Sequence, residues 1–182
     1  MLVHIGALRS TPRPRVSLIL TVPRPQRLKK LIPVLGNLGL HKLVLTGAKN
    51  VPNDYFGSHL LKSESLFREA LTEGLSQSAN DASLPDVYIR RNIWSFITKE
   101  IDEIFPENFA RTVSHPAKSD SAHGASKSLL SLREVPQSCH NELVIAIGGE
   151  RGWHEGELEL LQKNRFEIVN IGPRIYRSDT AV

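Results

Sequence analysis

Apolar and polar positions alternate along this chain in blocks with two different periods. Val16 to Val22 (VSLILTV) is a short, largely β-branched apolar run, the mark of a strand buried on both faces. Pro23 and Pro25 end it. Leu28, Leu31, Ile32, Leu35 and Leu38 then recur at helical spacing, and Gly39 is placed to stop that helix. Lys42 to Thr46 (KLVLT) reads as a second strand, which completes a βαβ unit and favours a parallel sheet. Helical spacing returns with Phe67, Ala70, Leu71 and Leu75. Asp86 to Arg90 (DVYIR) predicts a third strand, and Ile93, Ile97, Ile101 and Ile104 predict one helix that stops at Pro106. A fourth strand is expected over Ala110 to His115, halted by Pro116.

From Ala117 to about Gln137 the pattern loses its period and fills with Ser, Ala, Lys and His. It reads as a loop over 117–138, in which Leu129, Leu130 and Leu132 could anchor a short helix. Glu142 to Ile147 (ELVIAI) is the clearest buried strand. His154 to Asn164 follows as a helix with Glu155, Glu157 and Glu159 early and Lys163 late, a polarity that complements the helix dipole. Phe166 to Ile171 is the last strand. Strands and helices alternate throughout, so the fold class is α/β, with one domain over 16–182 behind a basic extension, 1–15.

Composition changes this picture in one respect. With 182 residues, 40% hydrophobic and 23% charged, the chain suits a single well-filled core. No apolar run approaches the ~20 residues needed to cross a bilayer. The single cysteine, Cys139, excludes an intrachain disulfide and suits a reducing compartment, the cytoplasm or an organelle interior. The net charge is only +4, but no Asp or Glu occurs from Met1 to Asn53, whereas Arg9, Arg13, Arg15, Arg24, Arg27, Lys29, Lys30, Lys42 and Lys49 all do. Such asymmetry attracts a polyanion such as a phosphate backbone. It also fits a solvated basic face or, for the first dozen or so residues, an organelle-targeting presequence. The histidines do not fall at metal-site spacing, and no metal is expected.

Two strand ends carry unusual chemistry. Ile147-Gly148-Gly149-Glu150-Arg151-Gly152-Trp153 links a strand to a helix, with glycines that allow close approach of a ligand to backbone amides; a plain tight turn would use them equally well. It is neither a Walker loop nor a GxGxxG turn. Ile171-Gly172-Pro173-Arg174-Ile175-Tyr176-Arg177 opens with a Gly-Pro turn, then sets Ile175 and Tyr176, suited to an apolar adenine pocket, beside Arg177, suited to an anion. It too reads as a turn leading to a surface helix with solvated arginines.

Taken together, GGERGW and IGPRIYRSDTA resemble the signature of the ribosomal RNA uracil-N3 methyltransferase family (RsmE), whose first loop runs Gly-Pro-Glu-Gly-Gly-aromatic and whose second runs Leu-Gly-Pro-Arg-Ile-Leu-Arg-Thr-Glu-Thr-Ala. Gly148, Glu150, Gly152 and Trp153 match the first; Gly172, Pro173, Arg174, Ile175, Arg177, Thr180 and Ala181 match the second. Weaker similarity runs from VSLILTVPRPQRL through Glu69-Ala70, Gln77-Ser78 and Leu84-Pro85 to His115-Pro116. The resemblance implies a SPOUT-type parallel sheet with helices on both faces and a C-terminal trefoil knot. It implies a homodimer that binds S-adenosyl-L-methionine in the knot and methylates N3 of a uridine in small-subunit ribosomal RNA. Carried over by position, His115, Pro116, Ile147, Gly148, Glu150, Gly152, Ile171, Gly172, Pro173, Ile175 and Tyr176 would surround the cofactor. Arg177 and Glu150 are the candidates for catalysis, and Arg24, Arg27, Lys30 and Arg174 for RNA contact.

The sequence departs from that family in several places. No room for the family's N-terminal RNA-binding barrel is expected before Val16, and the chain ends at Val182 where the family continues into a final helix. Gly149 stands for a proline and Arg151 for a glycine; Asn80 lies near the place of an arginine; the helix after Pro25 lacks a Lys-Ala-Thr-Glu segment. A relative with impaired catalysis, acting as an RNA-binding or ribosome-assembly factor, and an incomplete chain therefore stand as alternatives to an active enzyme.

Overall fold

The computed structural model describes residues 15–78, 83–116, 127–128, 142–170 and 178–182. The basic extension thus lies almost wholly outside the described residues, as do most of the 117–138 segment and the turn at 171–177. Strands β1 (Val16–Thr21), β2 (Lys42–Thr46) and β3 (Asp86–Arg90) form where the short apolar runs predict them. They are joined by β4 (Phe109–Ser114), β5 (Lys127–Ser128), β6 (Glu142–Ile147) and β7 (Glu167–Asn170). The order across the sheet is β3-β2-β1-β6-β4-β7-β5, and every pairing is parallel.

Each central strand feeds two cores because successive side chains point to opposite faces. Leu18, Leu20, Leu43 and Leu45 face helices α1 (Pro25–Asn37) and α3 (Glu64–Leu75), meeting Leu28, Ile32, Leu35, Phe67 and Leu71. Ile19, Val44, Val113, Val144 and Ala146 face α4 (Ile93–Lys99), α5 (Ile101–Ile104) and α6 (Glu155–Lys163), meeting Phe96, Ile97, Phe105 and Leu161. Each fully buried Leu, Ile or Phe contributes roughly 1.5–3 kcal/mol of transfer free energy. This is the parallel sheet that the pattern implied, with the helices on both faces that the resemblance implied. The expected knot involves segments outside the described residues. Among the described residues no helix is long and apolar enough to cross a membrane.

Helix α1 starts on Pro25, which fits its first turn because the N–H that proline lacks would have no helical partner there, and ends before Gly39, whose φ of 66° no other residue type adopts freely. It crosses α3 at very close range. A Cβ on Gly36 would lie 2.1 Å from the Leu71 carbonyl oxygen, and one on Gly74 would lie 1.7 Å from that of Pro33. At the opposite, N-terminal edge of the sheet, Arg111 of β4 is buried. It donates to the Asp102 carboxylate at 2.6 Å, to the Asn164 carbonyl at 3.2 Å and to the Phe105 carbonyl, tying α5 and the end of α6 to the strand.

Several expectations are corrected. The isoleucine stripe is not one helix: Glu100, at φ −123°, separates α4 from α5, and its carboxylate turns to accept from Arg90 Nε at 2.6 Å. All four isoleucines are buried nonetheless, so the stripe marked the face and not the continuity. Leu38 caps α1 and is 42% exposed, since Gly39 turns the chain before it can reach the core. Strand β4 begins one residue earlier than expected and leaves His115 just beyond its end, and β7 begins one residue later than expected, at Glu167, with Ile171 outside the described residues. Lys127 and Ser128, inside the segment read as loop, pair with Val169 and Asn170. A 3-10 turn at Asn53–Gly57 and a short helix, α2 (His59–Lys62), fill the stretch between β2 and α3 that showed no period.

Candidate functional site

In a parallel sheet all C-terminal strand ends lie on one edge, and the loops leaving them form the ligand-facing surface. Here β4 is flanked by β6 and β7 with Ser114 paired to Ile147 on one side and Val169 on the other. The His115 amide continues the ladder, donating to the Val169 carbonyl at 3.1 Å. Neighbouring strands in a sheet lie about 4.8 Å apart. His115 and Pro116, Ile147 and Gly148, and Asn170 therefore leave the same edge from three adjacent strands. Of the residues expected around a cofactor, His115, Pro116, Ile147, Gly148, Glu150 and Gly152 are brought to this edge. Ile171, Gly172, Pro173, Ile175 and Tyr176 lie outside the described residues, with Arg174 and Arg177. Asn170, the last described residue before that segment, ends β7, with β4 between it and the strand that leads to Gly148.

The β6–α6 loop owes its shape to its glycines. Gly152 takes φ +67° and donates its amide to the Gly149 carbonyl at 2.9 Å, closing a turn. A Cβ on Gly148 would meet Trp153 Nε1 at 3.1 Å, and one on Gly149 would meet Thr21 Oγ1 at 2.9 Å, so the backbone lies directly against a strand and an indole. Both of those polar atoms, Trp153 Nε1 and Thr21 Oγ1, are buried with no hydrogen-bond partner among the described residues. Buried donors are nearly always satisfied in folded proteins, so two orphans against one loop mark a place where a bound group can complete the bonding.

Glu150 is held from elsewhere. Arg27 Nη1 lies 2.7 Å from one carboxylate oxygen and Arg24 Nε 3.2 Å from the other. Two of the residues expected at RNA thus clamp the glycine loop to the start of α1, while Lys30 is exposed farther along that helix. The sequence placed Arg151 beside Glu150, but Arg151 is exposed and takes no part in these pairs.

Sequence reasoning missed Glu157. It lies in the first turn of α6, as its dipole-complementing place implies, but it is fully buried. It accepts from the His154 amide at 2.8 Å and the Lys49 amide at 2.6 Å, while the His154 ring accepts from the Gly156 amide. The result is a capping box that also ties the loop after β2 to the start of α6. The signal was present as a capping residue three positions before a glutamate; histidine in place of serine or threonine hid it. Among the described residues no group of three or more His, Cys, Asp or Glu side chains could hold a metal.

Comparison with known proteins places this geometry. A family described as RNA methyltransferase domain matches residues 10–182. The ribosomal RNA small subunit methyltransferase E of Treponema pallidum is 26% identical over 164 residues, covering 90% of this chain and 57% of that protein. Methyltransferase E 1 of Borreliella burgdorferi is 23% identical over 158 residues, 87% of this chain and 59% of its own length. The chain therefore spans less than two thirds of these relatives. Among solved structures, the small subunit methyltransferase E of Neisseria gonorrhoeae bound to S-adenosyl methionine superposes with a TM-score of 0.71 at 17% identity, covering 95% of this chain and 63% of that one. A putative methyltransferase of Legionella pneumophila in complex with the same cofactor gives 0.70 at 17% identity, over 95% and 64%. With a match that runs from the first strand to the last residue, and a sheet that shares its fold with these structures, this chain belongs to the RNA methyltransferase domain family typified by RsmE.

Proposed function

We propose that this chain is the catalytic domain of a homodimeric methyltransferase that uses S-adenosylmethionine to methylate N3 of a uridine in small-subunit ribosomal RNA. The observation that carries the reading is the alignment of β4, β6 and β7, which starts all three candidate loops from adjacent strand ends. The residues fit an adenosyl ligand. Gly152 leaves backbone open at the loop, and Trp153 Nε1, packed against Gly148, is a buried N–H with no acceptor among the described residues. His115, Pro116 and Ile147 would form the neighbouring wall, with Ile171, Gly172, Pro173, Ile175 and Tyr176 closing it.

When bound, S-adenosylmethionine supplies a methyl group already activated on a sulfonium. For N3 to accept that methyl, its proton would first pass to solvent, leaving the uracil anion as nucleophile, and the sulfur would depart as a neutral thioether. The protein's part is to align the reacting atoms at near-attack distance, exclude water and lower the energy of the uracil anion. Arg177 is assigned to that anion or to the substrate phosphate. Glu150, with both oxygens held by arginines, is assigned to positioning the glycine loop. Arg174 and Lys30 would meet the RNA backbone.

The test is calorimetry with S-adenosylmethionine followed by methyl transfer to small-subunit ribosomal RNA by wild type and Arg177→Ala. Binding by the wild type, and loss of turnover with retained cofactor affinity in the variant, is the expected pair of results. Wild-type turnover by Arg177→Ala would remove its assignment. A folded wild type that takes RNA but no cofactor would establish the assembly-factor reading instead.

A further inference from the structure

We propose a second ligand site on this edge, a crevice that takes a nucleotide of single-stranded RNA flanking the methylated base; the identification of the strand as substrate RNA rests on the methyltransferase reading. The crevice arises from topology. Strands β1 and β6 are neighbours, but the chain leaves β1 toward α1 on one face of the sheet and leaves β6 toward α6 on the other. Where adjacent parallel strands send their loops to opposite faces a gap must open at their C-terminal ends, and such gaps are the usual ligand sites of open α/β sheets. The gap is present here as an open-mouthed crevice, about 430 Å³ when the open solvent at its mouth is counted.

It lies on the far side of the β6–α6 loop from β4 and β7. That loop is a shared wall, so an occupant sits one loop away from the proposed cofactor. The lining suits a nucleotide. Val22 and Val51 give apolar walls, Tyr55 a ring on which a base can stack, and Asn50 an amide with both a donor and an acceptor for a base edge. Arg24 and Arg151 supply cations at the same opening, and Lys49, adjacent to Asn50 in the chain, is exposed with its ammonium 2.9 Å from His154 Nε2. Cations around an aromatic, partly apolar cleft are the arrangement that binds single strands, phosphates outside and bases inside. Glu150 also lines the opening, but its charge is already met by Arg24 and Arg27. The exposed Arg151, which departs from the family's glycine, gains a purpose here: it reaches for phosphate on the side of the loop away from the cofactor.

The test uses the full chain and a short, labelled single-stranded RNA, with binding read by fluorescence anisotropy across a salt series. Tyr55→Ala is expected to weaken binding about tenfold, the loss of one stacked base, while Tyr55→Phe keeps wild-type affinity. Arg151→Ala is expected to lower the slope of log affinity against log salt by about 0.7, the loss of one phosphate contact. Lys163→Ala, at the far end of α6, is expected to leave both unchanged. Circular dichroism melts confirm that each variant is folded, and calorimetry follows S-adenosylmethionine in parallel. Wild-type RNA affinity in folded Tyr55→Ala overturns the proposal, as does a Tyr55→Ala variant that loses cofactor and not RNA. RNA binding through Tyr55 by a chain that takes no S-adenosylmethionine supports the site and refutes the methyltransferase reading, so the two fail separately.

Discussion

Gly152 offers the sharpest probe of the glycine loop, because only one physical effect operates there. Its φ is +67°, and a Cβ built on it would meet nothing within 4 Å. Gly152→Ala therefore adds no clash and changes only the backbone energy. A left-handed residue with a Cβ costs about 1–2 kcal/mol. For a chain of this size each kcal/mol moves the melting temperature by roughly 2–4 °C, so Gly152→Ala should lower it by roughly 2–8 °C. Asparagine tolerates the same conformation better, and Gly152→Asn should fall between alanine and wild type. Gly149→Ala is the control of opposite kind, since its Cβ would lie 2.9 Å from Thr21 Oγ1 and the penalty is steric. Thr21→Ala should relieve part of it in the double variant and nothing of the Gly152→Ala penalty. The assay is thermal denaturation of the single and double variants. Equal melting temperatures for Gly152→Ala, Gly152→Asn and wild type would refute the strained turn, and with it the claim that glycines shape this loop for a ligand.

Other consequences follow from the same contacts. Gly74→Ala, whose Cβ would lie 1.7 Å from the Pro33 carbonyl oxygen, forces α1 and α3 apart and should cost at least about 1–3 kcal/mol, read as a lowered urea midpoint. Arg111→Met leaves the Phe105 and Asn164 carbonyls without their donor and should cost about 2–3 kcal/mol; a variant as stable as wild type would show the buried cation to be dispensable. The hydrogen bond from Arg111, helped by the charges of Arg111 and Arg165, holds the Asp102 carboxyl below its ordinary value of 3.8. Its contribution to stability is therefore full above that value and lost as pH falls through the lower folded one, and Asp102→Asn should flatten this acid limb of the denaturation profile. Glu150→Gln breaks two half-exposed ion pairs, each worth about 0.2–1 kcal/mol, so stability should drop little. Cofactor affinity should fall while RNA affinity rises through the released Arg24 and Arg27; unchanged affinities for both would show that the clamp does not couple the two surfaces.

How much of this was legible in the sequence depended on whether the controlling interaction is local. KLVLT, DVYIR and ELVIAI become strands residue for residue: the first and last are apolar runs inside a parallel sheet, and DVYIR is a short β-branched and aromatic run at its edge. The stop at Gly39 and the helix from Glu155 to Lys163 were legible for the same reason, as a terminating glycine and a Glu-early, Lys-late polarity lie within a few residues of the helix ends they mark. The break at Glu100 was not, since the partner of its carboxylate is Arg90 on another element. Nor was the insertion of β6 between β1 and β4, which no local pattern encodes.

The site divides along the same line, and the division bears on how it would work. The glycines announced a loop, but much of what fixes that loop comes from distant parts of the chain: Arg24 and Arg27 hold Glu150 and Thr21 presses against Gly149, while Lys49, after β2, shares Glu157 of α6 with His154. The end of β1 and the start of α1 thus brace the turn itself, and the loop after β2 braces the helix it leads into. A turn braced in this way cannot shift away from β1 without loosening its hold on Arg24 and Arg27. If the cofactor lies on its β4 side and RNA on its β1 side, occupancy of either is felt at the other through Glu150, whose two oxygens face arginines that RNA phosphates also seek. Binding of the two ligands should then be linked, and by the same factor in both directions.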